Sequence, residues 1–161
     1  MSATMAEAFP RRCEPRTLWR VRAYLRSLPG IVGDRIAVMG FSHGAGGALQ
    51  ASTGWGVHFA ATVAFYPWCG DGTPSFSDDV LVLMGNADDW TPSQRCVDAV
   101  ARYRASAAHR PVLKIYPGGT HGFDSPRPER DYFGHHLAYD PAAAADAIGE
   151  THRFLAARLG R

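Results

Sequence analysis

The sequence predicts an α/β domain with about four mostly parallel strands and with helices on both faces of the sheet. Short, continuously apolar runs alternate with longer helical segments, which is the pattern of βαβ units. The apolar runs show no regular polar alternation, so their strands are expected to be covered on both faces. At 161 residues the chain suits one domain, 1–161, with residues 1–14 flexible and 124–140 a long loop near the site.

Four apolar runs are predicted as strands: 35–41 (RIAVMGF), 60–67 (AATVAFYP), 80–85 (VLVLMG) and 111–118 (PVLKIYPG). Four further segments are predicted as helices: 15–30, 43–53, 91–106 and 140–160. The first helix has apolar Leu18, Val21, Leu25 and Leu28 at spacings of three and four residues. In the third helix Thr91 is the predicted N-cap, with Pro92 at the first helical position.

Composition excludes several classes of function. A net charge of +2 with scattered arginines gives no support for binding to nucleic acid. The N-terminus lacks the apolar core of a signal peptide, and no run approaches the ~18 apolar residues that would span a bilayer. We therefore expect a soluble cytoplasmic protein that binds neither nucleic acid nor membrane.

The three cysteines, Cys13, Cys69 and Cys96, are an odd number without a short metal-ligand spacing. In a reducing cytosol they are predicted to be free thiols. Cys69 has no glycine turn around it, so it is interpreted as a buried or rim thiol rather than a nucleophile.

A serine, an acid and a histidine each follow a different predicted strand. Ser42 lies in the G-x-S-x-G pattern of Gly40 to Gly44, Asp88 lies in GNADDWTP, and His121 lies in YPGGTHGFD. Because ligands bind beyond the carboxyl ends of parallel strands, the three side chains are expected to meet at one rim of the sheet.

This set of residues suits nucleophilic catalysis. A serine hydroxyl needs an imidazole to take its proton, and the imidazole needs a carboxylate on its other nitrogen. The flanking glycines, Gly40 and Gly44, are expected to let the strand and the following helix approach closely, with Ser42 in a strained conformation. The His43 N–H, at the start of the helix, is the predicted donor to a developing oxyanion.

These motifs, together with YPGGTHGFDSP and GHHLAYDPAAAADA, resemble the dienelactone hydrolase family of the α/β-hydrolase superfamily over about residues 35–159. The resemblance implies Ser42 as nucleophile, Asp88 as the acid of G-x-x-D-x-x-x-P and His121 as base, with neither metal nor organic cofactor. The family's namesake has a cysteine where this chain has Ser42, and a carboxylate-binding arginine where this chain has Ser125.

The resemblance also implies about four more strands before the nucleophile strand, where this chain has some 34 residues that read mostly as helix. A truncated α/β-hydrolase is therefore expected, with the strand at 35–41 at an open edge of the sheet. An apolar edge strand tends to pair, so a homo-oligomer through this edge is predicted.

Several residues keep two interpretations. Asp89 competes with Asp88 as the acid, although the spacing to Pro92 favours Asp88. Adjacent His135 and His136 are interpreted as structural rather than as metal ligands. Four aromatic residues either wall an acyl pocket or belong to the core: Trp68, Trp90, Phe123 and Tyr132.

The sequence thus predicts a serine hydrolase of small carboxylic esters, lactones or thioesters. The alternative is a catalytically weak half-fold that acts as an interaction module or is a remnant. The complete Ser-His-Asp set favours the first, and the short N-terminal part favours the second.

Overall fold

The computed structural model describes residues 15–53, 57–70, 76, 78–104, 109 and 111–160. Within them, four strands form a fully parallel sheet in the order β1-β2-β3-β4, and two short strands form a separate hairpin. The elements in chain order are α1 Pro15–Ser27, β1 Ala37–Phe41, α2 His43–Ala51, β2 Ala61–Phe65, β3 Val80–Gly85, α3 Ser93–Arg104, β4 Val112–Tyr116, β5 Arg130–Tyr132, β6 His135–Leu137 and α4 Pro141–Leu159.

The predicted fold class is confirmed. Every residue of β2 and β3 is buried, so both faces of these central strands are covered. One cluster of buried side chains joins the sheet to α3 and α4, and a second joins β1 to α1 and α2. In α1 the side chain of Trp19 packs against this second cluster, whereas Val21, which the helical spacing placed on the apolar face, is 48% exposed.

The last helix begins and ends as its sequence predicts. Asp140 is its N-cap, and its side chain accepts hydrogen bonds from the N–H groups of Ala142 and Ala143. Pro141 occupies the first turn, where a missing N–H costs no helical bond. Gly160 follows with a φ of 69°, a left-handed conformation that ends the helix.

The strand β1 lies at one edge of the four-stranded sheet, with β2 as its neighbour. Its side chains Met39 and Phe41 are 50% and 43% exposed. The predicted homo-oligomer through this edge stays a prediction, as does the flexibility of residues 1–14, which fall outside the described residues.

The predicted loop at 124–140 is wrong in one part, because it contains the antiparallel hairpin β5–β6. Tyr132 pairs with His135 across a two-residue turn in which Phe133 and Gly134 both have positive φ, 51° and 80°. A turn of this kind matches the twist of a hairpin but usually has asparagine or aspartate at its first position. Because Phe133 occupies this position, the sequence did not indicate a hairpin turn.

The prediction of free thiols is wrong for Cys69 and Cys96, which form a disulfide with their Cα atoms 5.1 Å apart. The segment after β2 lies against α3, and this brings together two cysteines 27 residues apart in the chain. Cys13 lies outside the described residues. Since structural disulfides are rare in a reducing cytosol, the cysteines no longer support a cytoplasmic location, which stays a prediction. None of the helices in the described parts of the chain has the length and apolar character that a membrane span requires.

The two glycines around Ser42 differ in whether a side chain would fit at their positions. A Cβ on Gly40 would lie 2.3 Å from the carbonyl oxygen of Gly44, whereas a Cβ on Gly44 would meet no atom within 4 Å. The close approach of strand and helix therefore depends on Gly40, and the predicted packing role of Gly44 is wrong.

The matched substitutions Gly40→Ala and Gly44→Ala test this difference. Because backbone atoms cannot rotate away, Gly40→Ala is expected to lower the free energy of unfolding by about 3 kcal/mol, or roughly 10 °C in melting temperature. Gly44→Ala, on an exposed helical position, is expected to leave the melting temperature unchanged or slightly raised. Thermal unfolding followed by circular dichroism measures both. Equal melting temperatures for the two variants would contradict the close contact.

Candidate active site

Ser42 forms the sharp turn between β1 and α2. Its φ of 51° and ψ of −120° are rare for a residue with a side chain. The turn is held on both sides, because the Ser42 N–H donates to the carbonyl of Phe65 at 2.9 Å and its carbonyl accepts from the Gly46 N–H at 3.1 Å. This strained conformation presents the hydroxyl at the carboxyl end of the sheet.

The structure brings the three predicted residues together. Nε2 of His121 lies 2.8 Å from Ser42 Oγ, and Nδ1 of His121 lies 2.9 Å from Asp88 Oδ2. Because an ionised carboxylate can only accept, Nδ1 carries the proton and Nε2 presents a lone pair to the serine hydroxyl. Asp88 and His121 are 4% and 5% exposed, so the hydrogen bond between them is shielded from water.

Of the two aspartates, Asp88 is the one that contacts His121, because of the backbone turn that follows it. Its Oδ1 accepts from the N–H groups of Trp90 at 2.9 Å and Thr91 at 2.7 Å, which leaves Oδ2 directed at His121. Asp89 is exposed instead, and its carboxylate lies 3.2 Å from Nδ1 of His135.

A second glycine contact joins the acid and histidine segments. A Cβ on Gly85, the last residue of β3, would lie 2.0 Å from the carbonyl oxygen of Gly119. The same carbonyl accepts the N–H of Ala87 at 3.0 Å. The absence of a side chain at Gly85 therefore lets the segment with Asp88 lie against the segment with His121.

Sequence reasoning missed Thr91 as a member of the site. Its hydroxyl oxygen lies 2.8 Å from Asp88 Oδ2, 3.2 Å from His121 Nδ1 and 3.1 Å from the carbonyl oxygen of Tyr66. The predicted N-cap role is wrong, since α3 begins at Ser93 and these contacts turn the hydroxyl to the buried carboxylate. A charged acceptor forms the stronger hydrogen bond.

Tyr66 was also missed, although it directly follows β2 and so occupies the rim where the other site residues were sought. Its ring packs edge-on against the His121 ring with centroids 4.7 Å apart, and its hydroxyl donates to Asp124 at 2.8 Å. Burial, and then the Asp124 carboxylate, raise the pKa of Tyr66 well above its usual value, so the hydroxyl stays protonated. Its φ of 39° is strained for an aromatic residue.

His43 is the first residue of α2, directly after Ser42. The N–H groups of a first helical turn point out of the helix end, where the helix dipole favours negative charge. The position agrees with the one from which His43 was predicted to donate to an oxyanion, and that role stays a prediction.

A pocket of about 240 Å³ opens beside Ser42 and His121. The hairpin and the segments around it form one side of this pocket. Its lining residues are Phe41, Ser42, Tyr66, His121, Gly122, Ser125, Arg127, Pro128, Arg130, Leu137, Ala138 and Tyr139. Ser125, which stands where the namesake of the family has an arginine, is therefore a pocket residue, and the charged lining residues are both arginines.

The four aromatic candidates for an acyl pocket are not among these lining residues. Phe123 is fully buried in the core, and Trp68 lies under the guanidinium of Arg95. Trp90 packs between the rings of His121 and His135, at 5.0 and 4.7 Å between centroids. Trp90 therefore packs against the His121 imidazole without lining the pocket. Tyr132 contacts Trp90, with their ring centroids 5.9 Å apart.

The two adjacent histidines have carboxylate neighbours. His135 lies beside Asp89, and His136 lies 3.2 Å from Asp131 and 3.4 Å from Glu129. Nowhere in the described ranges do three or more histidine, cysteine or acidic side chains come together as a group that could hold a metal ion. The structural interpretation of the pair stays a prediction.

Solved structures share the fold of this chain. The chain is 19% identical to a dienelactone hydrolase-like promiscuous phosphotriesterase from metagenomic libraries, with a TM-score of 0.76 over 99% of this chain and 69% of that one. It is 21% identical to an α/β hydrolase enzyme from a Medee basin deep-sea metagenome library, with a TM-score of 0.74 over 98% of this chain and 69% of that one.

A protein proposed to be a dienelactone hydrolase, from Klebsiella pneumoniae, is 18% identical, with a TM-score of 0.69 over 88% of this chain. Here the chain spans 60% of its relative's length, and for the other two it spans 69%. No curated protein matches the chain.

The family assignment comes from the sequence as a whole. The model of the dienelactone hydrolase family matches residues 3–159, which is nearly the entire chain. Three of the motifs that suggested this resemblance, those with Ser42, Asp88 and His121, meet in the structure at the carboxyl ends of β1, β3 and β4. This chain therefore belongs to the dienelactone hydrolase family.

Proposed function

We propose that this protein is a serine hydrolase of small carboxylic esters, lactones or thioesters. The observation that carries the proposal is the chain of hydrogen bonds from Ser42 through His121 to Asp88. Its geometry matches what nucleophilic catalysis by a hydroxyl requires, and the family of the chain agrees with it.

The reaction would proceed through an acyl-enzyme. Ser42 Oγ attacks the carbonyl carbon while its proton passes to Nε2 of His121. Asp88 stabilises the imidazolium that forms, and the His43 N–H supports the negative oxygen. The bond to the leaving group breaks as His121 returns the proton to the departing alcohol or thiol. A water molecule then attacks the acyl carbon as its proton passes to Nε2 of His121. The bond from the acyl carbon to Ser42 Oγ breaks as His121 returns this proton to Ser42, and the acid leaves.

The pocket suits a small substrate. A volume of about 240 Å³ is slightly below the roughly 300–1,000 Å³ of pockets that hold drug-sized ligands. Phe41, Leu137 and Ala138 are among its lining residues, so a short acyl chain finds apolar contacts there. Neither metal nor organic cofactor enters the proposed steps.

A fluorophosphonate probe tests the activated hydroxyl without knowledge of the substrate. We expect the probe to form a covalent adduct on Ser42, located by mass spectrometry of the digested protein. Ser125 lines the same pocket and is the internal control, because no described histidine contact activates its hydroxyl. Absence of an adduct, or equal adducts on both serines, would refute a nucleophilic Ser42.

A further inference from the structure

Thr91 touches both members of the acid–base pair, and the proposed mechanism assigns it no role. Its hydroxyl oxygen lies 2.8 Å from Asp88 Oδ2 and 3.2 Å from His121 Nδ1, and the residue is 3% exposed. Buried so deeply, the hydroxyl takes its hydrogen-bond partners from the protein.

The single proton of this hydroxyl has two possible acceptors. The Tyr66 carbonyl oxygen lies at 3.1 Å, whereas Asp88 Oδ2 lies at 2.8 Å and carries charge. The shorter, charge-assisted bond is the stronger, so the proton belongs to Asp88. The hydroxyl lone pairs then face His121 Nδ1–H, whose proton is shared between Asp88 and Thr91 at 2.9 and 3.2 Å.

With Thr91 included, the Asp88 carboxylate accepts four hydrogen bonds. Oδ1 accepts the N–H groups of Trp90 and Thr91, and Oδ2 accepts the Thr91 hydroxyl and His121 Nδ1–H. The hydroxyl therefore does two things at Oδ2. It holds this oxygen in line with the imidazole. It also partly neutralises the negative charge of the carboxylate, which would otherwise stabilise the protonated imidazole more strongly.

We infer that Thr91 is a positioning residue that orients Asp88 toward His121 and weakens the hold of His121 on the proton that Nε2 accepts from Ser42. The inference deepens the proposed function and rests on it. Removing the hydroxyl leaves Oδ2 with His121 as its remaining side-chain donor, which favours the protonated imidazole. The base is then neutral, and so able to accept the serine proton, only at higher pH.

The other titrating groups around His121 are the same in the wild type and in the variants. Tyr66 packs on the ring as a neutral phenol bound to Asp124, and His135 with Asp89 lies across the Trp90 ring. A difference in pH dependence between variants at position 91 therefore reports the effect of removing the hydroxyl.

The test compares Thr91→Val and Thr91→Ala, which remove the hydroxyl, with Thr91→Ser, which keeps it. The rate of fluorophosphonate labelling of Ser42 is measured from pH 5 to 9. For both hydroxyl-free variants we expect the pH of half-maximal rate to rise by about one unit and the plateau rate to fall about tenfold. Thr91→Ser is expected to restore the wild-type midpoint and most of the rate.

A merely structural Thr91 would lower the melting temperature without moving the pH midpoint. Unchanged midpoints in Thr91→Val and Thr91→Ala would therefore overturn the inference, as would a failure of Thr91→Ser to restore the midpoint.

A second readout separates this inference from the proposed function. The His121 ring nitrogens can be titrated by NMR, with their signals identified by loss in His121→Gln. If the wild type takes no probe, the proposed function fails. The inference then stands if the NMR midpoint rises in Thr91→Val and returns in Thr91→Ser, and it falls if the midpoint stays constant.

Discussion

Ser42→Ala is expected to reduce hydrolysis of a chromogenic acetate ester by about 10⁴-fold or to the rate without protein. The variant lacks the oxygen that forms the acyl-enzyme, and Nε2 of His121 loses the hydroxyl that is its partner among the described residues. The remaining rate reports what the pocket and the helix N-terminus achieve with water alone. Initial rates at saturating ester give the comparison.

Ser125→Ala is the matched control for this experiment. It removes the same atom from the same pocket but from a residue that makes no described contact with His121. We expect its turnover number to stay within about threefold of the wild type, with an effect mainly on KM. Both variants should keep the wild-type melting temperature within a few degrees. Equal ester hydrolysis by wild type and Ser42→Ala would refute the hydrolase proposal.

Asp88→Asn is expected to lower kcat by about 10⁴-fold while the protein stays folded. The amide oxygen can still accept the N–H groups of Trp90 and Thr91, so the turn survives. The amide NH₂ then faces His121 Nδ1 as a donor. That contact favours the tautomer with the proton on Nε2, which cannot accept the proton of Ser42.

Asp89→Asn is the neighbouring control, since it makes the same chemical change one residue along. Asp89 is exposed and lies beside His135 on the surface, where an ion pair contributes roughly 0–1 kcal/mol. We expect kcat within twofold of the wild type. A large loss in Asp89→Asn with normal activity in Asp88→Asn would reverse the assignment of the acid. Steady-state kinetics of both variants, with circular dichroism as the check on folding, measure this.

Much of the sheet could be predicted because its signals are local. The predicted strand at 80–85 is β3 with the same bounds, and the other three strands lie within their predicted ranges. The start of α4 at Asp140-Pro141 could be predicted as well, since capping depends on only a few neighbouring residues. The β5–β6 hairpin was not predicted, because its turn places a phenylalanine where turn-forming residues are the usual signal.

The candidate site divides in the same way. Ser42 and His121 could be predicted from the glycine-rich turns that follow their strands. Thr91 occupies an x position of the G-x-x-D-x-x-x-P motif, where any residue is allowed, and its sequence context also matched a helix N-cap. Two of its partners, Tyr66 and His121, are 25 and 30 residues away in the chain, and no local pattern reports such separations. The disulfide between Cys69 and Cys96 was hidden for the same reason.

The sequence by itself determined the order of the elements and the family of the chain. It also determined which side chains stand at the carboxyl ends of β1, β3 and β4. Apolar runs and glycine turns act over a few residues, so they can be recognised without a fold. The tertiary structure alone placed Asp88 rather than Asp89 against His121, brought Thr91 and Tyr66 into contact with His121, and paired two cysteines. Such contacts depend on how closely separate loops approach. For Asp88 and His121, the two loops are brought together by the register of β3 with β4 and by the backbone contact of Gly85 with Gly119.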